Sequence, residues 1–219
     1  MKLIVRKTHK YLSFFISIQL LLWTVSGIYF AFNKIELVRG EQYRIQPKDY
    51  VITKNLNFSI PGATNIRIQR LMDRNIIIAS NNSGISYYDN NGNLLGKLSP
   101  EEAIEIVSKK TTLRPLAVHE VVKNERGAEY RGRALPIYKV ETENNLGKPI
   151  NVYLNVFSGD VVAIRSSQWR IWDLMWGFHI MDWLDRDNID NILLKIFSVL
   201  ALISSISGVL LFFKIDTAK

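Results

Sequence analysis

Three histidines, at positions 9, 119 and 179, are the residues of this chain best suited to chemistry near neutral pH. An imidazole can hold a metal ion through its unprotonated nitrogen, or relay a proton. No cysteine accompanies them, which removes disulfides, thiolate chemistry, iron–sulfur clusters and cysteine zinc sites together. The chain also has no nucleophile elbow, Walker loop, dinucleotide-type glycine fingerprint or HExxH, so no catalytic motif stands out.

The three settings differ. His119 lies in Leu116-Ala-Val-His-Glu-Val-Val, which reads as a strand with the histidine facing solvent. His9 shares a small, polar helix face with Ser13, Ser17, Leu20, Thr24 and Gly27. His179 belongs to an aromatic stripe, Trp169, Trp172, Trp176, His179 and Trp183, on a helix expected over Gln168–Leu184. Asp182, three residues beyond His179, is placed to accept the second ring proton and fix the tautomer. The plain reading of His9 and His179 is an interfacial residue with a solvated ring.

These residues are carried by two long apolar segments, Tyr11 to Phe32 and Ile196 to Phe213. At about 1.5 Å per helical residue they reach roughly 33 and 27 Å, enough to cross a hydrocarbon layer of about 30 Å. The first exceeds the apolar length of a cleavable signal and lacks a small-x-small site, so it reads as a retained anchor. Lys2, Arg6, Lys7 and Lys10 precede it with no acid, placing the N-terminus in the cytoplasm. Asp182, Asp185, Asp187 and Asp190 precede the second span and Lys214 and Lys219 follow it, placing the C-terminus on the same side. Tryptophans favour the headgroup layer, so the 168–184 helix is expected to lie along the outer interface before the chain turns inward at 188–191. Small residues Ala201, Ser204, Ser205 and Gly208 give the second span a face suited to close helix packing.

The net charge of +8 does not indicate a nucleic-acid partner. Residues 1–33 carry four basic and no acidic side chains, 34–191 carry 21 and 19, and 192–219 carry three and one. Most of the excess therefore lies beside the membrane, where it sets topology and attracts anionic lipid.

Between the spans, short alternating runs from Tyr43 to Leu98, such as Ile66-Arg-Ile-Gln-Arg-Leu71, read as antiparallel strands. Ser99-Pro-Glu-Glu starts a helix running to Lys109 or Lys110. Further strands are expected at Ala117–Val122, Ile137–Glu143, Ile150–Asn155 and Val161–Arg165, giving an α+β domain of one sheet and one packed helix. The expected division is 1–33 for the first tail and span, 34–167 for the domain, 168–191 for the aromatic helix and turn, and 192–219 for the second span and tail.

Three stretches carry a family resemblance: Ser99-Pro-Glu-Glu-Ala-Ile-Glu-Ile-Val, Leu135-Pro-Ile-Tyr-Lys-Val-Glu, and Asn151-Val-Tyr-Leu-Asn-Val-Phe-Ser-Gly-Asp-Val-Val. Together they resemble the PepSY domain, a helix followed by a meander closed by a glycine hairpin. Ser158 stands where the family usually has threonine, and Asn155 where it usually has an acid. The flanks resemble PepSY-associated transmembrane helices, through Arg6-Lys-Thr-His-Lys-Tyr-Leu12 and Phe178-His-Ile-Met-Asp182. The resemblance implies a bacterial inner-membrane protein with a periplasmic domain, a non-catalytic accessory or binding role in a redox or iron-uptake system, and contact with another membrane or periplasmic protein or a second copy. Longer relatives have more spans and bind haem, an activity that does not carry over to a two-span chain by resemblance alone; a second reading gives this chain haem b, with His9 and His179 as ligands and Asp182 behind His179. On that reading the chain is a transmembrane electron carrier. The two histidines would stand about 30 Å apart, too far to share one iron, so each site would need a homodimer or another subunit.

Overall fold

The computed structural model describes residues 2–47 and 59–216. The chain forms two compact units, Glu36–Ser167 and Met1–Ile35 with Gln168–Lys219. It is α+β, with two antiparallel sheets and an apolar helix near each end of the chain.

The helical unit contains α1 (Lys2–Phe32), α4 (Ser167–Ile180) and α5 (Ile192–Asp216). The stretches Leu3–Phe32 and Ile192–Phe213 are long and apolar enough to cross a membrane. Their large apolar side chains face outward: Phe14 is 80% and Ile18 73% exposed on α1, and Leu202 is 60% exposed on α5. A water-soluble bundle buries such residues, whereas lipid solvates them.

The domain begins with α2 (Ile35–Val38) and a short 3-10 turn at Glu41–Tyr43. Strands β1 (Asn65–Leu71), β2 (Arg74–Asn81) and β3 (Gly84–Tyr88) form one sheet. Helix α3 (Pro100–Lys110) follows, then β4 (Arg114–Val121), β5 (Ile137–Glu143), β6 (Pro149–Asn155) and β7 (Val161–Arg165) in a second sheet of that order. The single sheet expected from sequence is thus two, with α3 in the chain between them. Leu71, Ile76 and Ile78 of the first sheet, Ala103, Ile106 and Val107 of α3, and Val140, Val152, Leu154 and Ile164 of the second share one core.

Local chemistry explains these elements. Ser99 Oγ accepts from the Glu102 amide at 3.2 Å while Glu102 Oε2 accepts from the Ser99 amide at 2.8 Å, a reciprocal cap over Pro100. Gly159 has φ +63° in the β6–β7 turn, and a Cβ there would stand 2.8 Å from Ile106 Cδ1, so glycine meets both the conformational and the packing demand. Asp160 joins the sheets by accepting from Gln69 Nε2 at 2.6 Å and Ser158 Oγ at 3.0 Å.

Candidate functional site

Helices α1 and α5 pack antiparallel. Phe15 stacks on Phe197, while Ser13 Oγ and Ser204 Oγ are hydrogen-bonded at 2.7 Å. His9 is half-buried in this contact, with Nδ1 3.0 Å from Ser207 Oγ and 3.1 Å from the Ser204 carbonyl. Its ring lies over Gly208, where a Cβ would stand 3.0 Å from Cε1. The Ser204-x-x-x-Gly208 spacing therefore makes room for an imidazole as well as for a helix.

The packed face of α1 is not the one read from sequence. Ile16, Gln19 and Ser26 are buried, whereas Ser17 and Thr24 are exposed and return their hydroxyls to their own helix, at Phe14 O and Leu20 O. The residues in contact step 9, 13, 16, 19, 23 and 26, nearer to the 3.5-residue period of packed helices than to the run of small residues.

Helix α4 departs from the expected interfacial layout. Its contacts with α1 run from Gln168–Asn33, through Trp172–Phe30, to Phe178–Gln19, so it lies antiparallel along the C-terminal half of α1. It also ends at Ile180 rather than Leu184, because Met181 turns into the left-handed region at φ 56°. All four carbonyls of its last turn are satisfied. Gly177 O accepts from the Asp182 amide, Phe178 O from Gln19 Nε2, His179 O from Trp23 Nε1 and Ile180 O from Asn191 Nδ2. These are the orphan carbonyls that every helix end must satisfy by other means.

His179 stands in that last turn. Its ring is parallel to Trp176, which stacks in turn on Trp172, and Phe30 meets it edge-on. Nδ1 lies 2.8 Å from Ser26 Oγ.

Asp182 is not the partner of His179. Its carboxylate accepts the backbone amides of Asp185, Asp187 and Asn188 at 3.0–3.1 Å and organises the turn into α5. Burial pushes this carboxyl up, but the amide bonds outweigh burial and hold it below the usual aspartate range. Arg186, also at positive φ, pairs with the buried Asp173 at 3.1 Å and secures the same turn on α4.

Neither Nε2 has a hydrogen-bond partner among the described residues, and neither is an enclosed unpartnered atom, so both reach the surface of the unit. His9 and Ser26, the anchor of His179, are 17 residues apart on one helix, about 26 Å. The two histidines are therefore separate positions. Among the described residues no group of three or more histidine or acidic side chains gathers as a metal site.

His119 is exposed on β4, with Nε2 3.8 Å from Glu141 Oε1. Nearby, an open groove of about 700 Å³ is lined by residues including Glu120, Lys123, Glu129, Lys139, Asn151 and Tyr153. At its floor Glu129 Oε2 accepts from Asn151 Nδ2 at 2.8 Å and Tyr153 OH at 3.1 Å. Burial and the Glu129 charge push the Tyr153 phenol well above its ordinary pKa. Burial and Arg133 pull the Arg165 guanidinium down to about 10, while Glu129 opposes that shift. Sequence reasoning missed this network because its members are spread over residues 129–165 and converge only once β6 and β7 pair.

Compared with known protein families, characterised proteins and solved structures, the chain matches none.

Proposed function

We propose that this chain is a two-span, PepSY-like accessory protein of a bacterial inner membrane. Both tails lie in the cytoplasm and the 36–167 domain is a periplasmic binding module within a redox or iron-uptake system. The observation that carries this reading is the pair of outward-apolar helices packed antiparallel on each other, with all of the sheet structure in the chain between them. Antiparallel spans return the two tails to one side, and the asymmetry of basic residues assigns that side. The groove over Asn151 and Tyr153 offers the domain a polar surface for a protein or ligand partner. The test is deletion in the native host under iron limitation. The reading expects a growth or reductase defect that the full chain restores and the domain alone, secreted without its spans, does not; normal growth and reduction after deletion contradict it.

A second reading, a haem b electron carrier, is favoured by one observation: both membrane-unit histidines bond inward through Nδ1 and leave Nε2 open. The residues fit the group as axial donors. His9 and His179 would hold it, and bound haem would supply one-electron transfer. The chain itself would orient each ring, through the serines at Nδ1, and exclude water with Phe30, Trp172 and Trp176 around His179. Each position offers a single histidine nitrogen, so a second donor must come from another copy or subunit. Absorbance spectra of the purified chain and of His9→Ala and His179→Ala test this reading. It expects a Soret band diminished by each substitution, and a chain that shows none after haem supplementation contradicts it.

A further inference from the structure

The hydrogen bonds around His9 and His179 determine which nitrogen of each ring carries the proton. Ser26 has a single hydroxyl proton, and its oxygen lies 2.7 Å from Leu22 O and 3.1 Å from Trp23 O. Leu22 O is the closest of the acceptors around this hydroxyl, so the proton is assigned to the helix. With the proton there, His179 Nδ1 at 2.8 Å is the donor to Ser26 Oγ. The same logic holds at His9. Ser207 Oγ donates to Ser204 O at 2.7 Å, and His9 Nδ1 lies 3.1 Å from that carbonyl and 3.0 Å from Ser207 Oγ. An unprotonated Nδ1 would set its lone pair against a carbonyl oxygen that has no proton to give.

We infer that Ser26 and Ser207 are positioning residues that hold His179 and His9 in the Nδ1–H tautomer and so keep the Nε2 lone pair of each free for a Lewis acid. A free imidazole in water favours the opposite tautomer, with the proton on Nε2. Both rings are thus held in the less common form, each by a serine on a neighbouring helix: His9 of α1 by α5, and His179 of α4 by α1. Ligating histidines elsewhere use this arrangement, in which a fixed proton on one nitrogen aims the other. The inference deepens the haem reading in naming what the two nitrogens are prepared for, but the tautomers follow from hydroxyl and carbonyl chemistry alone.

The test is nitrogen NMR of the full chain, labelled with 15N-histidine, in detergent at a pH where imidazole is neutral and with no haem added. The three histidines give three ring signatures, and His119, exposed on β4, is an internal reference for the solution mixture of tautomers. His9 and His179 are expected to show a protonated Nδ1 and a bare Nε2. Ser26→Ala is expected to return His179 alone to the solution mixture, Ser207→Ala to shift the His9 signature only part of the way, because the Ser204 carbonyl still accepts from Nδ1, and Ser26→Thr, which keeps the hydroxyl, to preserve the wild-type signature. Nε2–H signals from His9 and His179 in the wild-type chain overturn the inference, a measurement that does not depend on any variant folding. Unchanged tautomers in folded Ser26→Ala and Ser207→Ala overturn the role of the serines. A chain with these tautomers and no Soret band would defeat the haem reading while leaving this inference standing.

Discussion

Gly208 lies directly against the ring of His9, so close that a single added carbon would stand 3.0 Å from Cε1. The α1–α5 contact is built around that approach, with Ser13, Ser204 and Ser207 completing it. Gly208→Leu is expected to push the imidazole from its place and destabilise the helical unit by about 1–3 kcal/mol, the usual cost of overpacking. Unfolding in SDS followed by tryptophan fluorescence measures it. A variant as stable as wild type, with the His9 ring signal unmoved, would show that the two helices do not meet there.

The Asp182 carboxylate gathers the amides of Asp185, Asp187 and Asn188 in the turn into α5. Asp182→Ala is expected to lower stability by about 2 kcal/mol, the scale for losing charge-assisted hydrogen bonds. It should leave the His179 tautomer alone. The same NMR experiment separates the roles, because a shift of the His179 proton in Asp182→Ala would return Asp182 to the position read from sequence.

Glu129 holds together a buried tyrosine and a buried arginine. A phenol whose folded pKa is raised contributes stability that is complete below the ordinary tyrosine value and is lost as pH rises through the raised one. Stability of the domain is therefore expected to fall at strongly alkaline pH, as Tyr153 ionises. Glu129→Gln removes both the charge that raises Tyr153 and the charge that supports Arg165. It is expected to bring one tyrosinate transition down toward the ordinary range and to destabilise by about 1–3 kcal/mol. An alkaline absorbance titration identical to wild type would contradict the network.

The elements of the domain were legible because each carries a local signal. The reciprocal cap at Ser99 and Glu102 marked α3, and β5 and β7 fall on the residues expected from alternation and turn chemistry. What was not legible depends on tertiary partners. In β1 alternation marks a strand but not which face turns inward: register puts Arg67 and Gln69 on the side of Ile76 and Ile78, and both reach Asp160 in a turn about 90 residues away. In α1 the serine and threonine row at 17 and 24 looked like an interface, but hydroxyls can satisfy themselves on their own helix. The true contacts, Gln19, Trp23 and Ser26, are legible only once the open carbonyls at the end of α4 are in place.

The central claim is a two-span topology with the domain on the far side from both tails. Because the chain has no cysteine, single cysteines introduced at Lys7, Leu146 and Lys219 report it without background. Leu146 is exposed in the domain and suits an impermeant maleimide. In intact spheroplasts the account predicts labelling at Leu146→Cys alone, with Lys7→Cys and Lys219→Cys reacting only after permeabilisation; labelling of Lys7→Cys and Lys219→Cys from opposite sides would contradict it.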